Sequence, residues 1–192
     1  MPGVVLLNKP YGVVCQFSPS PGKPTLKDYV PIRDVYPAGR LDADSEGLLL
    51  LTDDGALQHA ISHPAARWIK RYWVQVENIP DAAALDRLRR GLDLGDFVTA
   101  PSEVSLIPEP AGLWPRIPPI RVRRHIPTCW LDIGIAEGKN RQVRRMTAAA
   151  GHPTLRLIRH RIGNCPLGDL QPGTYRLLSA QETAALASGM QL

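Results

Sequence analysis

The sequence predicts an α+β fold with a mixed, largely antiparallel central sheet and flanking helices. Two observations support this prediction. Short apolar or alternating segments follow one another along the chain with single helical segments between them, and strict β-α-β alternation does not occur. The 192 residues, 44% of them apolar and 21% charged, suffice for one soluble domain, either undivided or in two lobes around a cleft.

The N-terminal third is predicted to contain two strands and a helix. Residues 4–7 are apolar and precede a turn sequence with proline and glycine, which is typical of a short strand. Residues 47–52 form a continuous apolar run that suits a buried strand. A short helix is expected to follow as far as about Ser62, with Asp53 or Asp54 as its N-cap.

The middle of the chain is predicted to contain a strand, a helix and a long loop. Residues 72–76 alternate and are rich in aromatic and β-branched side chains, as in a strand. A helix is predicted to open at Asp81 and to stop at Gly91. Residues 94–100 are interpreted as a hairpin arm, and residues 108–127, with six prolines and four arginines, as a long basic loop.

The C-terminal part is predicted to contain two strands and two helices. Residues 131–135 alternate as a strand, and Asn140 is predicted to cap the next helix, which Gly151 ends. The apolar stripe of that helix comprises Val143, Met146, Thr147 and Ala150. A strand is expected over residues 155–162, and residues 179–182 form a capping box before the last helix.

Composition excludes several classes of protein. No apolar run approaches the roughly 18 residues of a membrane span, and the N-terminus lacks the features of a secretory signal. The three widely spaced cysteines argue against a disulfide framework or a zinc site, and the five histidines show no metal-ligand spacing. A cytoplasmic protein without metal or nucleotide cofactor is therefore expected.

Basic residues are concentrated in the last two fifths of the chain. The net charge is +5 and the pI about 9.4, values that are compatible with nucleic-acid binding without proving it. Few acids occur in this stretch, so its arginines are expected to lack local ion-pair partners and to suit phosphates. The alternative is an ordinary solvated surface. The basic residues concerned are Arg116, Arg121, Arg123, Arg124, Lys139, Arg141, Arg144, Arg145, Arg156, Arg159 and Arg161.

Four segments stand out for their chemistry. One is Gly-Arg-Leu-Asp at residues 39–42, and another is the basic stretch Glu-Gly-Lys-Asn-Arg-Gln-Val-Arg-Arg-Met at residues 137–146. The other two are Leu-Leu-Asn-Lys-Pro at residues 6–10 and Lys-Arg-Tyr-Trp-Val at residues 70–74. Together these segments closely resemble the Rsu family of pseudouridine synthases, which acts on ribosomal RNA, and the resemblance covers nearly the whole chain.

The resemblance implies the pseudouridine synthase fold, with an active-site cleft across a sheet in two halves. Residues 1–192 are expected to form a single catalytic domain without the N-terminal S4-type RNA-binding domain that many relatives carry. The expected activity is isomerisation of one uridine in ribosomal RNA, namely the 23S RNA of the large subunit. This isomerase reaction requires no cofactor, and a monomer is expected.

The resemblance also implies roles for individual residues. Asp42 matches the catalytic carboxylate, since the match to the catalytic segment extends over residues 39–55. Breaking the bond between uracil N1 and ribose C1′ builds positive charge on the sugar. A carboxylate can attack C1′, attack the base, or take a proton from C2′, and the sequence leaves all three routes open.

Substrate-binding roles are implied for Arg40, Tyr72 and Arg144. Arg144 occupies the position whose arginine pairs with the catalytic aspartate in related enzymes, and Tyr72 the position of a tyrosine under the target base. Arg40 is expected to face RNA, either by filling the place of the extruded base or by binding a phosphate. Further contacts with RNA are expected from Lys139, Arg141, Arg145, Arg116 and Arg121, although a basic helix start is also typical of a solvated face.

Two other functions remain open at this point. A non-catalytic RNA-binding factor in ribosome assembly could use the same fold, but binding alone requires no fixed carboxylate in a basic site. A hydrolytic glycosidase or nuclease is disfavoured because the sequence offers neither a second placed carboxylate nor metal ligands.

Overall fold

The computed structural model describes residues 3–63 and 68–188, which form nine strands, four α-helices and one short 3-10 helix, Leu26–Asp28. The arrangement is α+β with a mixed, largely antiparallel sheet, as the sequence predicts. The chain divides into two compact units. The first comprises Met1–Trp68 with Arg159–Leu192, and the second comprises Ile69–Ile158. Two units agree with the expected two lobes, and the expected cleft stays a prediction.

The first unit is built around a fully buried strand, β1 (Val4–Lys9), which lies between two antiparallel neighbours. These are β3 (Glu46–Thr52) on one side and β9 (Tyr175–Leu177) on the other. The two-residue strand β2 (Tyr36–Pro37) extends β3. Side chains from one face of β1 and β3 pack against residues of the segment 13–35, which lies between β1 and β2 in the chain. The core that they form comprises Val5, Leu7, Leu49, Leu51, Val13, Cys15, Leu26, Val30 and Val35.

Two helices complete the first unit. Helix α1 (Gly55–Ser62) begins at Asp54, whose carboxylate accepts from the backbone N–H groups of Ala56 and Leu57. Helix α4 (Ala180–Ser188) begins at the predicted capping box, in which Ser179 and Glu182 exchange hydrogen bonds. The predicted starts of α1 and α4 are therefore confirmed. Asp54 and Ser179 each supply an acceptor to backbone N–H groups that would otherwise be unpaired.

The second unit has the strand order β5-β6-β4-β7. Its strands are β4 (Lys70–Glu77), β5 (Glu103–Ile107), β6 (Thr128–Ile135) and the first part of β7 (Thr154–Ile162). The last part of β7 belongs to the first unit, where it pairs with the two-residue strand β8 (Cys165–Pro166). The antiparallel register of β4 and β6 places Tyr72 opposite Ile133 and Val74 opposite Leu131.

Two helices belong to the second unit. Helix α2 (Ala82–Arg90) starts at Asp81, which accepts from Ala84 N–H, and ends at Gly91, as predicted. Helix α3 (Gln142–Ala149) buries the predicted stripe, which is Val143, Met146, Thr147 and Ala150. Its start differs from the prediction, because Arg141 rather than Asn140 is the N-cap residue and adopts a left-handed conformation with φ 51°.

The predicted hairpin arm at residues 94–100 is confirmed only in part, because the chain forms a short antiparallel turn there and no regular strand. The chain there forms a tight turn in which Leu94 N–H donates to Phe97 O, with a single bridge between Asp93 and Val98. The next regular strand along the chain is β5, which begins at Glu103. Gly95, at φ 91°, takes the backbone out of an extended path. Residues 94–100 therefore do not form one continuous strand with β5.

Gly91 is required both by its backbone angle and by its surroundings. Its φ is +107°, and a Cβ atom added there would lie 2.4 Å from the carbonyl oxygen of Thr99. Thr99 cannot withdraw easily, because its N–H donates to Leu92 O and its hydroxyl accepts from Leu92 N–H. Gly95 has a similar φ of +91° but open space around the Cβ position.

We expect Gly91→Ala to lower the free energy of unfolding by about 3 kcal/mol, which combines backbone strain with a clash against a fixed carbonyl. Gly95→Ala is the matched control and should cost about 1–2 kcal/mol, since it adds only the backbone strain. Urea unfolding of both variants measures the difference. Equal losses would contradict the role assigned to the Thr99 carbonyl.

Candidate active site

Asp42 lies in a short turn of the first unit, between β2 and β3. Ala38 N–H donates to Leu50 O and so continues the pairing of these strands, after which Gly39 at φ 89° turns the chain. Leu41 is buried, whereas the Arg40 side chain is exposed and that of Asp42 half-buried. Ser45 N–H donates to Asp42 O at 3.0 Å and closes the turn. The segment is therefore anchored by the buried Leu41 side chain, and the side chains of Arg40 and Asp42 remain accessible to solvent.

Lys9 supports this turn from the buried end of β1. It is fully buried, and its Nζ donates to the carbonyl oxygens of Pro10 and Val13, each at 2.9 Å, and to that of Ala43 at 3.4 Å. Ala43 O also accepts from Gly12 N–H at 2.7 Å. The carbonyl group of Ala43, the residue after Asp42, is thus held by two donors.

The charge of Lys9 is opposed by its burial. Loss of hydration lowers the pKa of Lys9 from 10.5 to about 8, although Cys15, Glu46, Asp44 and Asp42 each act to raise it. Three of these four groups belong to the Asp42 turn or to the strand that follows it. The buried ammonium group therefore offsets part of the repulsion among three neighbouring carboxylates.

Arg159 supports the other side of the turn. It lies in β7, is only 2% exposed, and its Nε donates to Leu48 O at 2.9 Å. Its Nη1 donates to Arg40 O at 3.5 Å. One guanidinium group therefore links the start of β3 to Arg40, two positions before Asp42. Two hydrogen bonds from one planar group fix the geometry more firmly than one hydrogen bond does.

The basic segment before α3 is held by a polar network in the second unit. Gln142 is buried; its side-chain oxygen accepts from Lys139 N–H at 3.1 Å, and its amide donates to Glu137 Oε1 at 2.6 Å. The same Glu137 oxygen accepts from Ala100 N–H at 2.8 Å. Because Gln142 N–H donates to Lys139 O, a backbone turn occupies the place that was predicted for an Asn140 cap.

Arg145 does not have the uncompensated charge that was expected from the sequence. Its guanidinium forms an ion pair with Asp96 and donates to Leu94 O at 3.0 Å. The hydrogen bond between the two groups lowers the pKa of Asp96 and raises that of Arg145. The expectation is wrong because Asp96 lies 49 residues away in the sequence and adjacent in space.

Phe97 joins Lys139 and Arg145 into one cluster. The Lys139 Nζ lies 4.0 Å from the centre of the Phe97 ring, and the Arg145 guanidinium carbon lies 5.1 Å from it. An aromatic face attracts cations, so the turn at residues 94–97 helps to position both basic side chains. Arg141 is exposed next to them, and Arg144 is half-buried on the same helix.

Tyr72 lies on β4 and is 7% exposed as a residue, on the same face as the buried Val74 and Val76. The next residue towards the N-terminus, Arg71, points to the opposite face and forms ion pairs with Glu103 and Asp132. Lys70 approaches the basic segment, since a Cβ atom at Gly138 would lie 3.8 Å from its Nζ.

Arg116 and Arg121 have different environments. Arg116 donates to the carbonyl oxygens of Pro118, Pro119 and Leu155, so its guanidinium is engaged by the protein. Arg121 is exposed. Arg123, which was also expected to lack a partner, forms an ion pair with Glu77 at 3.4 Å. The expectation of uncompensated charge is therefore wrong for Arg123, whereas Arg116 donates to neutral carbonyl groups that hold its guanidinium against the protein.

The predicted site residues are distributed over both units. Arg40 and Asp42 belong to the first unit, and the second unit brings Lys139, Arg141 and Arg145 together around α3. The sequence did not indicate a supporting role for five residues, which are Lys9, Arg159, Glu137, Gln142 and Phe97. Arg159 was expected to suit phosphates, and that expectation is wrong because its buried guanidinium binds backbone carbonyls. Within residues 3–63 and 68–188, no group of three or more His, Cys, Asp or Glu side chains is placed to hold a metal ion. No helix of the same residues is long and apolar enough to cross a membrane.

Residues 3–149 match the RNA pseudouridylate synthase family, and the chain belongs to this family. It is therefore an RNA pseudouridine synthase, an isomerase. Ribosomal large subunit pseudouridine synthase E of Vibrio parahaemolyticus is 52% identical over 173 residues, which cover 90% of this chain and 72% of the relative. The protein of the same name from Xanthomonas campestris is 53% identical over 180 residues, or 93% and 96% of the two chains.

Solved structures agree with the family. A crystal structure of a pseudouridylate synthase superposes with a TM-score of 0.81 at 29% identity, covering 97% of this chain and 74% of that one. Human RNA pseudouridylate synthase domain containing 1 superposes with a TM-score of 0.56 at 15% identity, covering 96% and 91%. The second likeness supports the fold alone.

The lowered pKa of Lys9 has a measurable consequence for stability. Between pH 8 and pH 10.5 the unfolded chain binds more protons at this residue than the folded chain does. The free energy of unfolding should therefore rise with pH in this window in the wild type, by up to about 3 kcal/mol, relative to Lys9→Met, which lacks the titrating group. Denaturant unfolding of both proteins across the window measures this. A constant difference would show that burial does not perturb Lys9.

Proposed function

We propose that this enzyme converts one uridine of large-subunit ribosomal RNA to pseudouridine, with Asp42 as the catalytic carboxylate. The two relatives of 52% and 53% identity bear the name of a large-subunit enzyme, which supports the choice of substrate. The observation that carries the assignment of Asp42 is the fixed turn. Its backbone is held at Arg40, Asp42 and Ala43 by three separate donors, which are Arg159, Ser45 and Lys9.

The chemistry requires one ionised carboxylate at a defined position. The bond between N1 and C1′ breaks, the uracil turns, and C5 forms the new bond to C1′; the C5 proton then leaves and N1 gains a proton. A carboxylate can attack C1′, attack the base or take the C2′ proton, and each route needs the charge within reach of the sugar or base. Rigid support from Lys9 and Arg159 suits a group that must hold this position through rotation of the base.

Three further residues are proposed to handle the target nucleotide. Arg144 is proposed to keep the Asp42 carboxylate ionised, as a cation does for an acid that it pairs with. Tyr72, whose ring is already held in the sheet of its unit, is proposed to stack on the extruded base. Arg40 is exposed and is proposed to contact RNA beside the target, by filling the vacated place or by binding a phosphate.

Phosphate binding is proposed for Lys139 and Arg141, which are exposed at the start of α3. Arg145 and Arg116 were proposed with them from the sequence. Arg145 is neutralised by Asp96, so its contribution should be smaller than that of Lys139. Arg116 supports the loop that carries it, and its effect on RNA binding should be indirect. Arg121 is exposed, and phosphate binding is proposed for it as well.

The proposal makes Asp42→Asn the most informative single change. The amide has nearly the same shape as the acid but cannot attack, so pseudouridine formation should fall by at least ~10³-fold while RNA affinity stays within about twofold. The assay is single-turnover conversion of a ribosomal RNA fragment, with filter binding of the same fragment. The control is Asp44→Asn, which removes a neighbouring carboxylate and should keep most of the activity. Near wild-type conversion by Asp42→Asn would refute the assignment.

The different environments of Lys139 and Arg145 lead to a second test. Lys139→Ala should lower the salt dependence of RNA binding by about one counterion, whereas Arg145→Ala should lower it less, because Asp96 already neutralises that charge. Asp96→Ala is the matched variant: it releases Arg145 and should strengthen the salt dependence. Affinity measured against salt concentration distinguishes the three. Identical slopes for all of them would contradict this division.

A further inference from the structure

The loop of residues 108–127, here called the arginine loop, joins the neighbouring strands β5 and β6. Adjacent antiparallel strands need only a few connecting residues, so a connection of this length calls for a function of its own. Its segment 116–124 contains four arginines and no acid. Within this segment the proposed function assigns a direct contact with RNA to Arg121 alone.

Several contacts anchor the arginine loop. Arg116 donates to Pro118 O at 2.8 Å, to Pro119 O at 3.0 Å and, outside the loop, to Leu155 O at 3.2 Å. Arg156 is buried; it donates to Trp114 O at 2.9 Å, and its guanidinium lies 5.8 Å from the Trp114 ring. The path of the loop is therefore determined by specific hydrogen bonds.

The anchored loop presents an unusual surface. Ile117 is 83% exposed and Val122 is 75% exposed, and these are the two most exposed large apolar side chains in the described part of the chain. Arg121 and Arg124 are exposed between and beside them in the sequence, and neither is among the ion-paired arginines of the described residues. Exposed aliphatic side chains do not stabilise the free protein. Their position in this segment therefore favours a surface that another molecule covers.

We propose that the arginine loop is a docking surface for the RNA substrate. Arg121 and Arg124 bind phosphates, while Ile117 and Val122 pack against the ribose and base edges between those phosphates. A positively charged segment without acids fits a polyanion, and aliphatic side chains fit the apolar faces of the sugar and base. This inference rests on the proposed function for the identity of the RNA, and it adds a binding surface that does not include the catalytic residues.

The test compares two double variants with matched controls. Arg121→Ser/Arg124→Ser removes two exposed charges, and Arg33→Ser/Lys27→Ser removes the same charge from exposed positions outside the loop. Ile117→Ser/Val122→Ser removes the apolar pair, and Ile79→Ser/Leu177→Ser removes two exposed aliphatic side chains elsewhere. All eight positions are exposed, so the melting temperature of every variant should stay close to that of the wild type.

The readout is affinity for a ribosomal RNA fragment against salt concentration. We expect the arginine pair in the loop to lower affinity and to reduce the salt slope by up to about two counterions. The aliphatic pair should lower affinity about tenfold with an unchanged slope, because it removes contacts that carry no charge. The two controls should bind as the wild type does.

Loop variants that bind RNA as well as their controls do would overturn the inference, and would point instead to an acidic protein as the partner of the loop. A wild type that does not bind the fragment would overturn it as well. Conversion of the same fragment separates this inference from the proposed function. If the wild type binds the RNA through the loop but forms no pseudouridine, the proposed function fails while the docking surface stands.

Discussion

The fixed backbone around Asp42 depends on two buried cations that bind carbonyl oxygens. An ammonium or guanidinium group taken out of water costs several kcal/mol unless acceptors replace its hydration. Lys9 receives three carbonyl oxygens and Arg159 two, and in each set one oxygen belongs to the Asp42 turn. Folding supplies these carbonyl acceptors only with the turn in place, so the stability of the first unit and the geometry of its carboxylate depend on the same hydrogen bonds.

The second unit separates basic residues that build the protein from those that face solvent. Arg116 and Arg156 hold the arginine loop through backbone carbonyls, and Arg145 is paired with Asp96. Arg121 and Lys139 remain exposed, the latter positioned over the Phe97 ring. An RNA enzyme needs both groups, because phosphates are bound best by charges whose supporting segments are already ordered.

Sequence predicted what depends on local pattern and missed what depends on long-range contact. The apolar run of β3 and the buried stripe of α3 are properties of neighbouring residues, and both are confirmed. The hydrogen bond from Arg159 to Leu48 O joins residues 111 apart, so no local pattern indicates it. The two-residue strands β2 and β8 exist because a partner strand is present, and they carry no propensity signal of their own.

The measurement that tests the central claim most directly is pseudouridine mapping of total ribosomal RNA from cells that lack this chain. The account predicts that one site in the large-subunit RNA loses its pseudouridine. It also predicts that the wild-type chain restores the site and that Asp42→Asn does not. An unchanged map, or full restoration by the Asp42→Asn chain, would contradict the account.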